Sequence, residues 1–485
     1  MTLKIVGLGP GDIDDLSLKA WRIFENASTI YLRTAHHTCV EFLPKNGQTY
    51  HTFDYLYENN DAFETVYATI VQILLEAAQQ GDVIYAVPGD PLVGESTTTR
   101  ILKQAKDLNI DVEIVNGISF IEPMLKLIEV DALDGLQLLD GIDIAAMHHP
   151  PINPDYPALV GQVYSRTVAS NVKLTLMNQY PDEFEVTLIH AAGTSVEQVE
   201  VLPLYEIDRS EQINHMTSLY VPALGGMSSF EQFQEIIAHL RAPEGCPWDR
   251  KQTHESLRKY LLEEAYEVLE TIDQNDTDEL YRELGDVMLQ IVLHTQIAID
   301  DGEFKMTDVL RHVNEKMVRR HPHVFATTIV SDADEVVTNW EAIKAQEKAA
   351  NGKTEEAESL LDSIPKALPA LLWAYQSQDR AAHVGFDWKV IDDVRAKIDE
   401  ELDEIFQAET DDERMKEFGD LLFVLVNWGR WLKIDAENAL RLTNAKFYRR
   451  FSHVEARVRE TNKPMTDFSL EELDAFWDEA KAKGL

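Results

Sequence analysis

Over the first 220 residues, short apolar runs alternate with amphipathic stretches. LKIVGLG, STIYL, DVIYAVPG and DVEIV have the length and β-rich character of strands, and VTLIHAAG near 186–193 reads as another. Helical spacing fills the intervals near 16–26, 61–80 and 95–108. This alternation predicts an α/β domain. From about Phe230 onward the strands give way to long amphipathic helices. TSLYVPALGGMSS, residues 217–229, has the proline and paired glycines of a junction. EKAANGKTEEAESLLDSIP, residues 347–365, reads as a loose connector or exposed helix between two helical blocks. The predicted organisation is multidomain: an α/β domain over 1–222, a helical repeat over 223–330, a linker over 331–364 and a second all-α repeat over 365–485.

The helical pattern contains an anomaly. In LLEEAYEVLE, residues 261–270, Leu257, Leu261 and Val268 fall on one face and Glu264 falls among them. Glu263 and Glu267 lie one turn apart on an adjoining face, so three acids project into a narrow sector. A carboxylate facing a core is costly unless something positive neutralises it. The anomaly also repeats. Glu264 and Glu267 recur 137 residues on as Glu401 and Glu404, and Glu283 and Asp286 recur 134 residues on as Glu417 and Asp420. NEKMVRRH, residues 314–321, recurs as NAKFYRRF, residues 444–451. Order is kept and the offset shrinks in steps, as expected of an internal duplication.

Each copy therefore reads EExxE, then a gap, then ExxD, with each acidic pair at i,i+3 on one side of its helix. The short gap allows the two helices to pack as antiparallel neighbours with converging acids. The run VMLQIVL after Asp286 is apolar nearly all round, which predicts burial. Four or five carboxylates at one point repel unless hard cations lie between them. Oxygen-only ligands suit Mg²⁺ or Mn²⁺ and disfavour zinc. Downstream come Lys316, Arg319 and Arg320, repeated as Lys446, Arg449 and Arg450. Arginine forks suit phosphate oxygens and lysine adds a point charge. Held metal plus downstream cations describes a phosphoanhydride site, and no GxxxxGK[ST] motif is present to suggest a P-loop.

Composition narrows the partners. Lys+Arg number 44 against Asp+Glu 85, a formal charge of −41, which argues against nucleic acid or anionic membranes. The most apolar run, Leu421 to Val426, is far too short to span a bilayer, and MTLKIVGLGPGD carries no targeting pattern. Cys39 and Cys246 are too few for a disulfide framework, so a reduced cytoplasm is expected. His148, His149 and the HPH at 321–323 lack accompanying ligands at useful spacing, and Cys246 has no evident base partner. Trp248, Trp373, Trp388, Trp428 and Trp431 read as core or dimer packing, with room for one of them to stack on a base, and Trp248 is the candidate.

LRAPEGCPWDRKQTHESLRKYLLEEAYE, RELGD and EKMVRRHPHVF resemble the MazG family of all-α nucleoside triphosphate pyrophosphohydrolases. SIPKALPALLWAYQSQDRAAHVGFDW resembles the opening of that family's second repeat. The resemblance implies cleavage of NTP to NMP and pyrophosphate, with Mg²⁺ held by EExxE and ExxD. Carried over, the metal ligands are Glu263 or Glu264, Glu267, Glu283 and Asp286, then Glu400 or Glu401, Glu404, Glu417 and Asp420. Glu263 and Glu400 are the candidate bases. The copies depart from each other where GCPWD becomes GFDW and RRHPH becomes RRFSH, so their nucleotide pockets are expected to differ. GLGPGD at 7–12, VPGDPLVGES at 87–96 and VNGIS at 115–119 resemble the tetrapyrrole (corrin/porphyrin) methylases. That match implies S-adenosylmethionine contacts at Pro10, Asp90, Val93, Ser119 and Phe120. The whole chain resembles the YabN-type fusions of a methylase domain with MazG domains. A homodimer is expected, because such helical pairs rarely enclose a full site alone. Two other readings stay open: methyl transfer as the main activity, or an N-terminal ligand sensor regulating the helical half.

Overall fold

The computed structural model describes residues 2–59, 63–350 and 359–485. It divides into two compact units, Met1–Val313 and Asn314–Leu485.

The first unit opens with β1 (Thr2–Gly7), α1 (Leu18–Asn26), β2 (Thr29–Leu32), β3 (Thr49–Thr52), α2 (Phe63–Ala78), β4 (Val83–Val87), α3 (Ser96–Asp107) and β5 (Asp111–Val115). These strands pair in parallel in the order β3-β2-β4-β1-β5. A parallel sheet covered on both faces reads as near-continuous apolar sequence, which is how IVG and VIYAV are spelled. Leu3, Ile5, Val83, Tyr85 and Val87 pack against α2 and α3 on one face. Val6, Ile30, Leu32 and Ala86 pack against Ala20 and Phe24 of α1 on the other.

After α4 (Ile121–Ile128) the chain builds a second sheet from β6 (Gln137–Asp140), β7 (Ala158–Gly161), β8 (Glu185–His190), β9 (Gln198–Pro203) and β10 (Thr217–Val221), with α5 (Arg166–Leu176) between β7 and β8. Its order is β6-β7-β10-β8-β9, antiparallel except for β6 with β7. The expected junction at 217–229 is corrected here: TSLYV is a central strand with Thr217, Ser218, Leu219 and Val221 buried. Only residues 222–229 form the connector. It is tied down by Asp155, whose carboxylate accepts from the backbone N–H of Ser228 at 2.7 Å and of Ser229 at 3.0 Å.

The rest of the chain is helical. α6 (Phe230–Arg241), α7 (His254–Gln274) and α8 (Thr277–Asp301) lie in the first unit around Ile237, Leu257, Val292, Leu293 and Ile297. α9 (Met306–Arg320) crosses the division between units. The second unit continues with α10 (Ala333–Ala350), α11 (Ala370–His383), α12 (Ile391–Gln407), α13 (Asp411–Trp431), α14 (Ala436–Glu460) and α15 (Leu470–Ala482). The predicted 331–364 linker thus contains a helix of 18 residues, while its residues 351–358 lie outside the described residues. Among the described residues no helix is long and apolar enough to cross a membrane.

Candidate metal centres and the cofactor cleft

Local signals at the helix ends bring the acids of each copy together. Thr253 caps α7 and shares a capping box with Ser256. α7 ends at Asn275 in the left-handed conformation, and the next residue, Asp276, caps α8 through the N–H groups of Asp278 and Glu279. A connection this short folds α8 back along α7. As a result Glu264, Glu267 and Glu283 each bring one carboxylate oxygen within 4.8 Å of the others. Burial raises the Glu264 pKa, reinforced by Glu267, Asp286 and Glu283. Burial also raises Glu283, followed by the charges of Glu267 and Asp286. Asp286 and Glu263 are exposed and stand outside the tight group.

Two expectations about this helix pair are corrected. The stripe around Glu264 is not a uniformly buried face: Leu257 is fully buried, but Leu261 is 38% exposed and Val268 is half-buried. The run VMLQIVL buries Val292 and Leu293 yet leaves Met288 and Ile291 exposed. The reason is coverage. An apolar run records where a face can be buried, and within one chain α7 and α8 are covered on one side only.

In the second copy Thr410 caps α13 with a box to Glu413, and Glu401, Glu404 and Glu417 converge within 4.8 Å. This cluster is deeper: Glu401 is buried, and its Oε2 has no hydrogen-bond partner. It also contains its own cation. Lys397 Nζ lies 2.8 Å from Glu401 Oε1 and 2.9 Å from Glu400 Oε1. Burial raises the Glu404 pKa, with the Glu401 charge adding to it and Lys397 opposing. Asp420 is exposed, outside the tight group, and Glu400 is exposed and held by Lys397. The first copy has Tyr260 where the second has Lys397. Sequence reasoning missed Lys397, although its i,i+4 spacing to Glu401 was a readable signal.

The downstream cations are disposed unequally. Arg319 Nε and Arg320 Nη2 each approach the Glu347 carboxylate at 2.7 Å. The two guanidinium groups hold that carboxyl down at about 2. The pair expected to grip phosphate is therefore engaged by a glutamate from α10. In the second copy Arg450 Nε donates to the Leu485 carbonyl at 2.7 Å and its guanidinium lies 5.7 Å from the Trp477 ring centre. Lys446 and Arg449 lie on exposed faces of α14.

In the α/β half, three glycine loops meet after β1, β4 and β5. A Cβ on Gly117 would stand 2.5 Å from the Gly89 carbonyl oxygen and 3.0 Å from the Gly7 carbonyl carbon, so only glycine permits the approach. Asp90 secures the same loops: it accepts from the N–H of Leu92 at 2.8 Å, from Asn116 at 3.1 Å and from the N–H of Gly117 at 3.2 Å. Beside them is a cavity of about 290 Å³ lined by Val93, Phe120, Leu139, Asp140, Leu159 and Gly161 among others. Of the five cofactor candidates, Val93 and Phe120 line it. Pro10, Asp90 and Ser119 do not. Pro10 is buried against Gly193, the Asp90 carboxylate is spent on the loops, and the Ser119 hydroxyl donates to Glu122 and accepts from Ile121 N–H.

Two family models match: the MazG nucleotide pyrophosphohydrolase domain over residues 252–325 and the Tetrapyrrole (Corrin/Porphyrin) Methylases over residues 2–208. The chain is 43% identical to YabN of Bacillus subtilis (strain 168) over 99% of its own length and 98% of that protein. It is 46% identical to the nucleoside triphosphate pyrophosphohydrolase/pyrophosphatase MazG of Thermotoga maritima, covering 52% of this chain and 95% of that one. It is 42% identical to the nucleoside triphosphate pyrophosphohydrolase of Escherichia coli (strain K12), covering 53% of this chain and 98% of that one. The chain belongs to the MazG nucleotide pyrophosphohydrolase family, as a member in which a tetrapyrrole methylase domain precedes the helical repeats.

Proposed function

We propose that the helical half hydrolyses nucleoside triphosphates to the monophosphate and pyrophosphate, with Mg²⁺ or Mn²⁺ held by the carboxylate clusters. The observation that carries this is the pair of three-glutamate groups, each within 4.8 Å, built by two copies of one helix pair. The donor set fits the metal. All donors are carboxylate oxygens, Glu264 and Glu283 of the first cluster have pKa values raised by burial and then by the neighbouring acids, and the second contains a buried Oε2 without a partner. When bound, the cation supplies charge screening and Lewis acidity at the phosphates.

The chain's own residues supply the rest. Glu263, exposed beside its cluster, accepts the proton of the attacking water as a bond forms to the α-phosphorus and the bond to the bridging oxygen breaks. Glu400 has the same place in the second copy but is held by Lys397. Lys446, Arg449 and Arg450 are the phosphate-binding candidates of the second copy. Arg319 and Arg320 are engaged by Glu347 and must release it before either can hold a phosphate, whereas Lys316 has no such competitor among the described residues. The deciding test is product analysis with an NTP panel. NMP and pyrophosphate, abolished by EDTA and restored by Mg²⁺ or Mn²⁺, support the reading; NDP and phosphate as primary products overturn it.

The exposed Leu262, Tyr266, Leu269 and Ile272 of α7, with Tyr281, Met288 and Ile291 of α8, favour a homodimer that covers them. Sedimentation of the full chain as a monomer at micromolar concentration overturns this. For the α/β half we propose S-adenosylmethionine binding at the cavity lined by Val93 and Phe120. Titration of the full chain with the cofactor tests it, and formation of S-adenosylhomocysteine with a tetrapyrrole acceptor separates methyl transfer from binding alone.

A further inference from the structure

The acid-bearing helices α7 and α8 are joined at both ends. At one end the Asn275–Asp276 turn connects them. At the other, His254 Nδ1 meets His294 Nδ1 at 2.7 Å. The two ring planes lie 2° apart and their centres 5.0 Å apart. That separation is the nitrogen–nitrogen distance plus the radii of the two rings. The rings are therefore coplanar and meet edge to edge, each nitrogen aimed at the other. The contact lies in the stripe that carries the acids. His254, Leu257, Leu261 and Glu264 follow helical spacing on α7, as do Glu283, Asp286, Gln290 and His294 on α8. Along α7 the histidine stands about 15 Å from Glu264.

Such a contact holds one hydrogen. A ring nitrogen donates when it carries a hydrogen and accepts when it does not, so the bond needs one Nδ1 of each kind. The surroundings assign them. His254 is exposed, whereas His294 is half-buried and its Nε2 is buried with no hydrogen-bond partner. A hydrogen on His294 Nε2 would be an unsatisfied buried donor. In the neutral pair His294 therefore donates from Nδ1, and His254 accepts while keeping its own hydrogen on Nε2, in water. A first added proton occupies His294 Nε2 and leaves the shared hydrogen in place. A second puts hydrogens on both Nδ1 atoms, which then face each other as two donors.

Protonation is opposed from the start. Burial lowers the His294 pKa from the ordinary 6.5, and the charge of His254 lowers it further. His254 is the first residue of α7, where the positive end of the helix dipole disfavours a cation. No charge on the packed elements offsets this. α8 has no charged residue from Met288 to Ile299. Glu255 and Arg258 lie within a turn of His254 on α7, and among the described residues neither forms an ion pair with either ring. At the end of α6, His239 is exposed and Arg241 is neutralised by Asp300 at 2.7 Å. In the loop before α7, Trp248 is exposed and the Asp249 carbonyl accepts from Arg241. The second copy has no counterpart: Ile391 and Trp428 stand where the first has His254 and His294.

We propose that His254 and His294 form a pH-sensitive latch: sharing one hydrogen, they hold the open end of the α7–α8 pair, and hydrogens on both Nδ1 atoms release it. The latched rings share no second proton, so the stability they contribute is present above pH 6.5 and is lost as pH falls through the lowered folded values. Release in acid loosens the helix pair that holds Glu264 opposite Glu283, and the second repeat lacks the device. Glu264 and Glu283 themselves act with the opposite sign, since their folded values are raised.

The test therefore uses the full chain carrying Glu264→Gln/Glu283→Gln, in which those acids no longer titrate. Amide hydrogen exchange is followed by mass spectrometry at about pH 7.5 and about pH 5, corrected for the intrinsic rate. Peptides covering 254–258 and 290–296 are expected to lose protection about tenfold or more on acidification, while those covering 391–395 and 424–430 keep theirs. Adding His254→Phe/His294→Phe puts apolar rings at both positions and is expected to abolish the difference. Equal protection at the two pH values before that addition, or the same loss after it, overturns the latch. Ring ¹⁵N spectra of the unaltered chain with labelled histidine give a second readout that needs no folded double variant. A coupling across the Nδ1–H···Nδ1 bond is expected at about pH 7.5 and is gone at about pH 5, its signals identified by His254→Gln and His294→Gln. Two rings titrating independently near the ordinary 6.5 overturn the proposal.

Discussion

Lys397 Nζ stands 2.8 Å from Glu401 Oε1, and the corresponding position of the first repeat is Tyr260. Two carboxylate clusters with the same spelling therefore differ in countercharge. The second is partly neutralised by its own lysine one turn away, whereas among the described residues no lysine or arginine pairs with the first.

Replacing Lys397 with methionine removes the ion pair of the Glu401 carboxylate, whose other oxygen is already unpartnered. An unsatisfied buried group of this kind costs about 1–3 kcal/mol. The metal-free second repeat is expected to melt lower by that amount, and millimolar Mg²⁺ to restore more stability than it gives the parent. An unaltered metal-free melting curve refutes the inferred role of Lys397.

The first cluster predicts a pH dependence. Glu264 and Glu283 have pKa values raised above 4.5 in the folded chain, so the folded state holds protons that the unfolded chain releases. The resulting stabilisation is complete below about 4.5 and is lost as pH rises through the raised values. Metal-free stability of the first repeat should therefore fall as pH climbs from 4.5 toward neutrality, while Mg²⁺ affinity rises over the same span. Glu264→Gln/Glu283→Gln should flatten both trends. Calorimetry at constant ionic strength checks this, and a metal-free stability that increases with pH in the parent but not in the variant reverses the sign and rejects the argument.

Asp286→Asn and Asp420→Asn, made separately in the full chain, are expected to show which cluster turns over substrate. At least one should cut the turnover rate about a hundredfold, and the double variant should be inactive. Wild-type turnover in the double variant removes the carboxylates from the mechanism.

Gly117→Ala forces a methyl group against the backbone of Gly89 and Gly7, none of which is a flexible side-chain tip. It should destabilise the α/β half by about 1–3 kcal/mol and weaken S-adenosylmethionine binding. Gly81→Ala, where nothing lies within 4 Å, is the control and should leave both unchanged. Equal melting points for the two variants contradict the close packing of the three loops.

The sequence by itself determined the elements and the spacing of the acids. Helical periodicity and caps such as Thr253, Asp276 and Thr410 are local properties, so the helix pairs and the convergence of Glu264, Glu267 and Glu283 were legible in one dimension. So were β1, β2, β4, β5 and β8, whose apolar runs are short and bounded. Tertiary structure decided whatever depends on a distant neighbour. TSLYV looks like the start of a linker until β7 and β8 flank it, because a strand is buried by its partners and not by its own composition. Arg319 and Arg320 look free until α10 delivers Glu347, 28 and 27 residues away. Asp90 looks available to a ligand until the N–H of Gly117 and the side chain of Asn116 take its second oxygen. Periodicity states which face a residue occupies; whether that face meets a core, a counter-ion or water is settled by elements it does not encode.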